Sequence, residues 1–182
     1  MTQLKDVKGT YVLDPSHTTI GFVTRHAMVT KVRGSFDDYT GEATVDGSAP
    51  ETSTLNVTIQ VASVDTRSAD RDAHLRSADF FDVEKYPTIT FVGTGFDILD
   101  AETVNVTGDL TIKDVTRSIT IPLAYQGEAK DPFGNDRIGF EGQVQVSRQE
   151  FGLTWNAALE TGGVLVSDKV TLEFDVSAIK KA

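Results

Sequence analysis

The chain has 182 residues, of which 39% are hydrophobic and 24% are charged, and its formal net charge is −10. That length suffices for one domain with a buried core, which we place over residues 1–182. The absence of cysteine excludes disulfides, zinc–cysteine sites and iron–sulfur clusters. The acidic balance argues against a general binder of nucleic-acid backbones, which needs a basic face.

Apolar and polar residues alternate with a period of two along most of the chain, and this pattern predicts β-strands. Thr and Val are frequent on both faces of these runs, which favours strands over helices. In chain order the runs cover residues 20–26, 55–61, 89–91, 104–112, 119–125, 144–146 and 170–176.

Turn-forming residues separate the runs at short spacing. The predicted turns lie at Asp46-Gly47, 93–95, Lys113-Asp114, 131–135 and Gly162-Gly163. Roughly eight strands with such connections predict an all-β fold, and an antiparallel barrel is favoured because closure leaves no exposed edge. A barrel of about eight strands is either filled by side chains or able to hold one small ligand.

One segment breaks the alternation. Residues 65–82 predict a short helical segment over one end of the barrel, with Thr66 or Ser68 as the N-cap and Asp70 in the first turn. The polar cluster at 67–76 is either an exposed helix held by Asp–Arg pairs or a mouth that contacts a polar ligand head.

Sequence signatures of catalysis and metal binding are weak. The three histidines, His17, His26 and His74, show no metal-ligand spacing, so we expect no metal site. Gly93-Thr94-Gly95 lacks the third glycine of a dinucleotide loop and does not precede a helix, so we interpret it as a turn.

Several motifs, in order over residues 10–178, resemble the YceI-like family. The central stretch is the most specific, and similar motifs lie on either side of it. They are the segments 11–22 with His26, 32–36, 64–66, 71–75, 77–83, 86–91, 108–112, Val115-Thr116, Gly139-Phe140, 148–152 and 166–176.

The resemblance implies an extended, lipocalin-like barrel with a long internal channel that binds polyisoprenoid chains, including isoprenoid quinones. Many such proteins are exported to the periplasm. This sequence shows no export signal, so we expect a cytoplasmic location, or a periplasmic or secreted one if a signal was removed. It also has Asp114 where the family's hairpin commonly has Gly, a change that a turn tolerates.

A prenyl chain requires a tube of bulky apolar side chains, because apolar burial scales with area. His26 alternates in step with Ile20 and Phe22, so its side chain is expected on the inner face of the strand, where it could hydrogen-bond a ligand head. The alternative is that the His26 ring hydrogen-bonds neighbouring backbone groups instead. The apolar candidates for contact with the ligand are Phe22, Phe36, Ile59, Phe91, Leu110, Phe140, Phe151, Trp155, Leu172 and Phe174.

We therefore expect a protein that stores or transports a long isoprenoid lipid or quinone, without catalysis. The lipid is its ligand, and we expect no other cofactor, no nucleic acid and no stable membrane insertion. The sequence leaves open whether the chain forms a homodimer. Two alternatives remain: a filled-barrel interaction or stress-related protein without ligand, and an enzyme that acts on a lipid inside the cavity.

Overall fold

The computed structural model describes residues 2–182, and within them eleven strands form one antiparallel sheet. Their bounds are β1 Lys8–Leu13, β2 Thr19–His26, β3 Thr30–Phe36, β4 Tyr39–Asp46, β5 Thr54–Gln60, β6 Val64–Asp65, β7 Thr88–Ile98, β8 Thr103–Ile112, β9 Val115–Lys130, β10 Asp136–Ser147 and β11 Lys169–Lys180.

Eight of these strands close into a barrel in the order β1-β4-β5-β7-β8-β9-β10-β11, and β11 pairs back with β1. The predicted all-β barrel of about eight strands is thus confirmed. Along one edge, strand β11 is long enough to pair with two strands. Lys180 pairs with Tyr11 of β1, and Thr171 pairs with Val23 of β2. Strands β2, β3 and β6 therefore extend the wall at one end of the barrel.

The alternation seen in the sequence becomes the inner face of the wall. In β8 every second residue is buried, namely Val104, Val106, Gly108, Leu110 and Ile112. Successive strand side chains point to opposite faces, so these residues face the barrel interior and their neighbours face outward. The hydrophobic core of this chain is therefore the lining of the barrel.

Two glycines let aromatic rings lie flat against the inner wall. A Cβ added at Gly34 would come within 2.3 Å of the Phe22 ring, and one at Gly108 within 2.4 Å of the Phe91 ring. Phe22 pairs directly with Gly34 across β2 and β3. Each ring thus occupies the place of the missing side chain and leaves room along the barrel axis.

The predicted turn at Gly93–Gly95 is wrong. These residues lie inside β7, where the pairing with β8 shifts register between Gly93 and Gly95. Pairing continues on both sides, with Gly93 opposite Gly108 and Gly95 opposite Thr107. Glycine inside a strand often marks a bulge, and here the ladder continues through it.

The predicted helical segment is present as α1, Ala69–Arg76. Of the two predicted caps, Ser68 is the N-cap and accepts a hydrogen bond from the Arg71 backbone N–H. The structure places Asp70 and Asp72 in the first turn, where negative charge favours the helix. None of the helices in the described part of the chain is long and apolar enough to span a membrane.

The barrel has two differently built ends. The upper end comprises the β2–β3 turn at 27–29, helix α1 and the segment 148–168, and an antiparallel bridge joins His26 to Val166 there. The lower end comprises the 3-10 turn Leu4–Asp6 and the turns at 99–102 and 131–135. The Leu4 N–H donates to the Ala101 carbonyl at 3.1 Å and fixes the N-terminal turn across this end.

Candidate functional site

The barrel encloses a cavity of about 340 Å³. Its wall extends from Leu4, Gly47 and Ile98 at the lower end to Leu75 and Val166 at the upper end. Almost all of the side chains that face it are aliphatic or aromatic. The volume lies at the low end of the roughly 300–1,000 Å³ that is typical of small-molecule pockets.

Most of the predicted contact residues line this cavity. They come from seven strands and one loop and face one continuous space, which is what inward-facing positions of a closed barrel do. The nine are Phe22, Phe36, Ile59, Phe91, Leu110, Phe140, Phe151, Leu172 and Phe174. Their contact with a ligand stays a prediction.

The other two candidates, His26 and Trp155, lie outside the cavity lining. His26 is exposed at the end of β2, where it pairs with Thr30. The Trp155 ring packs between His74 and Phe80, with centroid distances of 4.7 Å and 5.4 Å. Trp155 therefore fastens the segment 148–168 to the helical region, and Thr24 is the residue of β2 that reaches the upper cavity.

Several lining residues escaped the sequence reasoning. Leu75 lies on α1, and Phe80 and Phe81 follow it in a turn, so no strand alternation marks them. Tyr11 lies on the same face of β1 as Leu13, and Thr24 lies on the same face of β2 as Phe22. The alternation along each strand could therefore have identified both as lining residues.

Arg148 is a buried cation at the upper end of the cavity, with 5% of its surface exposed. Its guanidinium donates to four backbone carbonyls, those of Leu153, Trp155, Val166 and Ser167, at 2.6–3.1 Å. Burial lowers the pKa of Arg148, but an arginine stays protonated at physiological pH. Its donors are largely used to hold the segment 148–168 in place.

The lower end holds two phenols whose donors are unused. Tyr11 lines the cavity, and its hydroxyl makes no hydrogen bond to any residue in 2–182. Tyr125 is buried beside the Phe140 ring, and its hydroxyl also lacks a partner within the described chain. Burial, with the Glu128 carboxylate as the next cause, raises the pKa of Tyr125 to about 12, and burial likewise raises the pKa of Tyr11. Both groups therefore stay protonated and able to donate.

The acidic residues that reach the cavity wall direct their carboxylates away from it. Glu42 pairs with Lys181 at 3.3 Å, and Asp46 pairs with Lys8 at 2.9 Å, both with exposed lysines. Across residues 2–182, no group of three or more His, Asp or Glu side chains is placed to hold a metal ion. The cavity thus presents no pair of ionisable groups suited to general acid–base chemistry.

A Ser–His–Asp set occurs on the outer surface after β1, but its geometry does not fit nucleophilic catalysis. Ser16 Oγ and Asp14 Oδ2 both contact Nδ1 of His17, at 2.9 Å and 2.8 Å. A catalytic triad needs the serine on one ring nitrogen and the carboxylate on the other. The Asp14 carboxylate also accepts from Arg137 at 2.6 Å, which makes this cluster a structural ion-pair network.

The polar cluster at 67–76 serves mainly to hold the helix in place. Arg71 donates to the Thr66 hydroxyl and carbonyl, and Arg76 donates to the Ala62 and Val64 carbonyls. The Asp72 carboxylate accepts from the backbone N–H and hydroxyl of Thr66. These bonds fix α1 over the upper end and leave few donors for a ligand head.

A protein-family model and related sequences both match most of this chain. The model of the YceI-like domain matches residues 11–178. A UPF0312 protein of Azotobacter vinelandii is 39% identical over 145 residues, which cover 79% of this chain and 76% of that protein.

Solved structures agree with the architecture. The YceI protein of Campylobacter jejuni superposes with a TM-score of 0.74 at 33% identity, over 87% of this chain and 90% of that one. A polyisoprenoid-binding domain from Saccharophagus degradans, implicated in plant cell wall breakdown, gives a TM-score of 0.71 over 96% of this chain and all of that one. The latter is 15% identical and so supports the fold alone.

Proposed function

The chain belongs to the YceI-like family, and we propose that it binds the apolar chain of an isoprenoid lipid inside its barrel for storage or transport. The observation that carries this proposal is the apolar cavity of about 340 Å³ that extends from the lower to the upper end. Under this proposal the lipid is cargo, and no prosthetic group takes part.

The driving force is burial of the prenyl chain. Each Å² of apolar surface removed from water contributes roughly 25 cal/mol, and a chain of repeated apolar units offers such surface along its whole length. Rings held flat over Gly34 and Gly108 keep the space long and narrow, which suits an extended chain better than a compact ligand. The binding property in the name of the Saccharophagus degradans domain is consistent with this proposal.

For the head group we propose a neutral oxygen acceptor, such as a quinone carbonyl, at the lower end. Tyr11, on the cavity wall, places an unused phenolic donor there, whereas the Tyr125 hydroxyl is buried outside the cavity lining. The carboxylates of Asp6 and Glu128 lie near enough to raise the pKa of Tyr125, so an anionic diphosphate would meet like charge. Arg148, the cation on the cavity wall, is at the opposite end and is occupied by carbonyls.

The two alternatives are disfavoured by specific features. A filled barrel would leave no space for a ligand, whereas this interior keeps about 340 Å³. An enzyme acting on a lipid would require ionisable groups that converge on the cavity, whereas Glu42 and Asp46 pair with exposed lysines instead.

The direct test is native mass spectrometry of gently purified protein, followed by organic extraction and identification of what is released. We expect a stoichiometric prenyl lipid with a neutral head. Protein that arrives empty and does not take up added isoprenoid quinone or polyprenyl lipid would overturn the proposal.

Wall variants make the test specific to the cavity. In G34A and G108A the new methyl groups displace the rings of Phe22 and Phe91 toward the barrel axis, and in G108A the methyl also lies 2.7 Å from the Val92 carbonyl oxygen. We expect each to weaken binding of an added isoprenoid quinone by about tenfold, equivalent to about 1.4 kcal/mol. The matched control is G95A, because an added Cβ there meets only Thr107 at 3.8 Å. Equal affinity of all three variants would contradict binding in this cavity.

A further inference from the structure

The upper end carries a cluster of exposed apolar side chains. Met28 and Val29, in the β2–β3 turn, are 62% and 75% exposed, and Val164, in the adjoining hairpin at 158–164, is 42% exposed. We call these three residues the apolar tip. Such side chains have no role in the barrel core, and clustered exposure of this kind marks an interaction surface.

The apolar tip is held rigidly by the backbone. The Ala27 N–H donates to the Leu165 carbonyl at 2.7 Å, and Met28 packs on Gly163, so the two hairpins form one platform. Ala27 and Met28 have φ values of 51° and 65°, in the left-handed region that most side chains avoid. The fold thus accepts a strained turn that presents Met28 and Val29 to the outside.

The β2–β3 turn that carries Met28 and Val29 is flanked by charges of one sign, whereas the hairpin at 158–164 carries one exposed carboxylate, Glu160. Residues 21–35 contain three basic residues, Arg25, Lys31 and Arg33, and no acidic residue, in a chain whose net charge is −10. Arg33 pairs with Glu173 at 2.9 Å, which leaves Arg25 and Lys31 as the cations that flank the turn.

Exposed apolar residues at the lower end have the opposite surroundings. Phe133 is 89% exposed between Asp131 and Asp136, and Leu99 lies between Asp97 and Asp100. A carboxylate collar repels an anionic surface, whereas a cationic one attracts it. The chain therefore has apolar projections at both ends, with Arg25 and Lys31 flanking the upper turn and carboxylates flanking the lower residues, of which Asp131 and Asp136 pair with Arg137 and Lys130.

The apolar tip also lies near the upper end of the cavity. Thr24 on β2 and Val166 after the neighbouring hairpin both line the upper cavity, a few residues from Met28 and Val164. A surface that contacts the apolar tip therefore lies next to the upper end of the cavity.

We infer that the apolar tip, with Arg25 and Lys31, docks the upper end of the barrel on a lipid bilayer that bears anionic head groups. Met28, Val29 and Val164 enter the boundary between head groups and acyl chains, and the two cations contact lipid phosphates. The inference goes beyond cargo binding, since a barrel can hold a lipid without contacting a membrane.

The experiment is co-sedimentation of the full chain with vesicles. One set contains phosphatidylcholine alone, and the other contains phosphatidylcholine and phosphatidylglycerol in equal parts. We expect stronger binding to the anionic vesicles, and a fall in binding as salt rises, because salt screens exposed charges.

Matched variants locate the contact. M28E/V29E should lower partitioning onto anionic vesicles by about tenfold or more, since apolar burial is replaced by like charge. L99E/F133E introduces the same charge at the lower end and should bind as the unaltered chain does. R25Q/K31Q should lose about tenfold on anionic vesicles and nothing on neutral ones.

Three outcomes would overturn the inference. They are equal losses in M28E/V29E and L99E/F133E, no vesicle binding by the unaltered chain, and a change from dimer to monomer in M28E/V29E with vesicle binding intact. The last would identify the apolar tip as a contact between two copies of the chain.

A parallel measurement separates this inference from the proposed function. Binding of an isoprenoid quinone in vesicle-free buffer should be the same for the unaltered chain and M28E/V29E. If the unaltered chain docks on vesicles but takes up no isoprenoid in buffer, the cargo proposal fails and the docking inference stands.

Discussion

A single arginine makes several structural contacts at each end of the barrel, Arg148 at the upper end and Arg137 at the lower end, but their partners differ. At the upper end, buried Arg148 donates to four backbone carbonyls and has no carboxylate within ion-pair distance in the described chain. At the lower end, Arg137 lies between Asp14 and Asp131, at 2.6 Å and 2.8 Å. The upper segment is held by donors to backbone carbonyls, and the lower turns are held by paired charges on the outer face of the wall.

This difference has consequences for stability and for ligand. Carbonyls do not titrate, so the contacts of Arg148 persist across pH, whereas the carboxylates that hold Arg137 lose their charge in acid. The lower end also keeps one unused phenolic donor, that of Tyr11, on the cavity wall, where the upper end has nearly none to spare. The upper end is therefore built for closure, and the lower end has a free donor for a polar head.

The largest expected effect comes from removing Arg148. R148M leaves four carbonyls without their donor in a buried place, and we expect a loss of about 3–5 kcal/mol in the free energy of unfolding, measured by urea denaturation. R148K restores the charge but has fewer and differently placed donors, so it should recover only part of the loss. A cost in R148M below that of an ordinary surface substitution would mean that the segment 148–168 is held without Arg148.

The second effect is acid sensitivity that originates at the lower end. Hydrogen bonds from Arg137, Ser16 and His17 hold the pKa of Asp14 well below its usual range, and those from Asn135 and Arg137 do the same for Asp131. A lowered folded-state pKa contributes stability that is present above the ordinary carboxyl pKa and is lost as pH falls toward the folded value. Urea unfolding should therefore show stability falling below about pH 4.

R137Q is the variant that isolates this effect. It removes the shared cation, so the decline in acid should become shallower and stability near neutral pH should fall. R148K, which alters the upper end, should keep the slope of the unaltered chain. An unchanged acid profile in R137Q would place the acid sensitivity elsewhere.

A third contrast is between a tyrosine whose hydroxyl donates a hydrogen bond and one whose hydroxyl does not. The Tyr39 hydroxyl donates to the Thr18 carbonyl at 2.8 Å, whereas the Tyr125 hydroxyl has no partner within residues 2–182. Y39F should cost about 1 kcal/mol in the free energy of unfolding, and Y125F about zero. With a quinone ligand, Y11F should weaken binding more than Y39F, because Tyr11 lines the cavity and Tyr39 does not. Equal stability losses would indicate that Tyr125 already has a partner, such as an internal water.

The smallest expected effect concerns the strained turn at the upper end. A27N/M28G places Asn-Gly, the pair that suits two successive positive φ angles, where Ala27 and Met28 now lie. Thermal and urea unfolding should show a gain of up to about 1 kcal/mol, while vesicle binding weakens through loss of the Met28 side chain. A destabilised variant would mean that the turn gains more from Met28 packing on Gly163 than it loses in strain.

Local patterns in the sequence predict some elements of this molecule correctly and misplace others. The alternation in residues 104–112 assigns the strand, its inner face and the lining role of Leu110, because side chains in a strand have a period of two. The same logic misplaced Gly93–Gly95, since glycine marks a bulge and a turn equally well. The same alternation indicated that the His26 side chain points into the barrel. The cavity ends near Thr24, however, and β2 continues past it, so His26 lies beyond the cavity.

By itself the sequence determined the fold class, the short helical segment with its cap at Thr66 or Ser68, and most of the inner wall, all of which rest on local patterns that the chain carries within a few residues. Only the tertiary structure decided which residues close the two ends. Arg148 finds its carbonyls up to 19 positions away, and Arg137 finds Asp14 from 123 positions away. Contacts of that range depend on barrel closure, which no local pattern records.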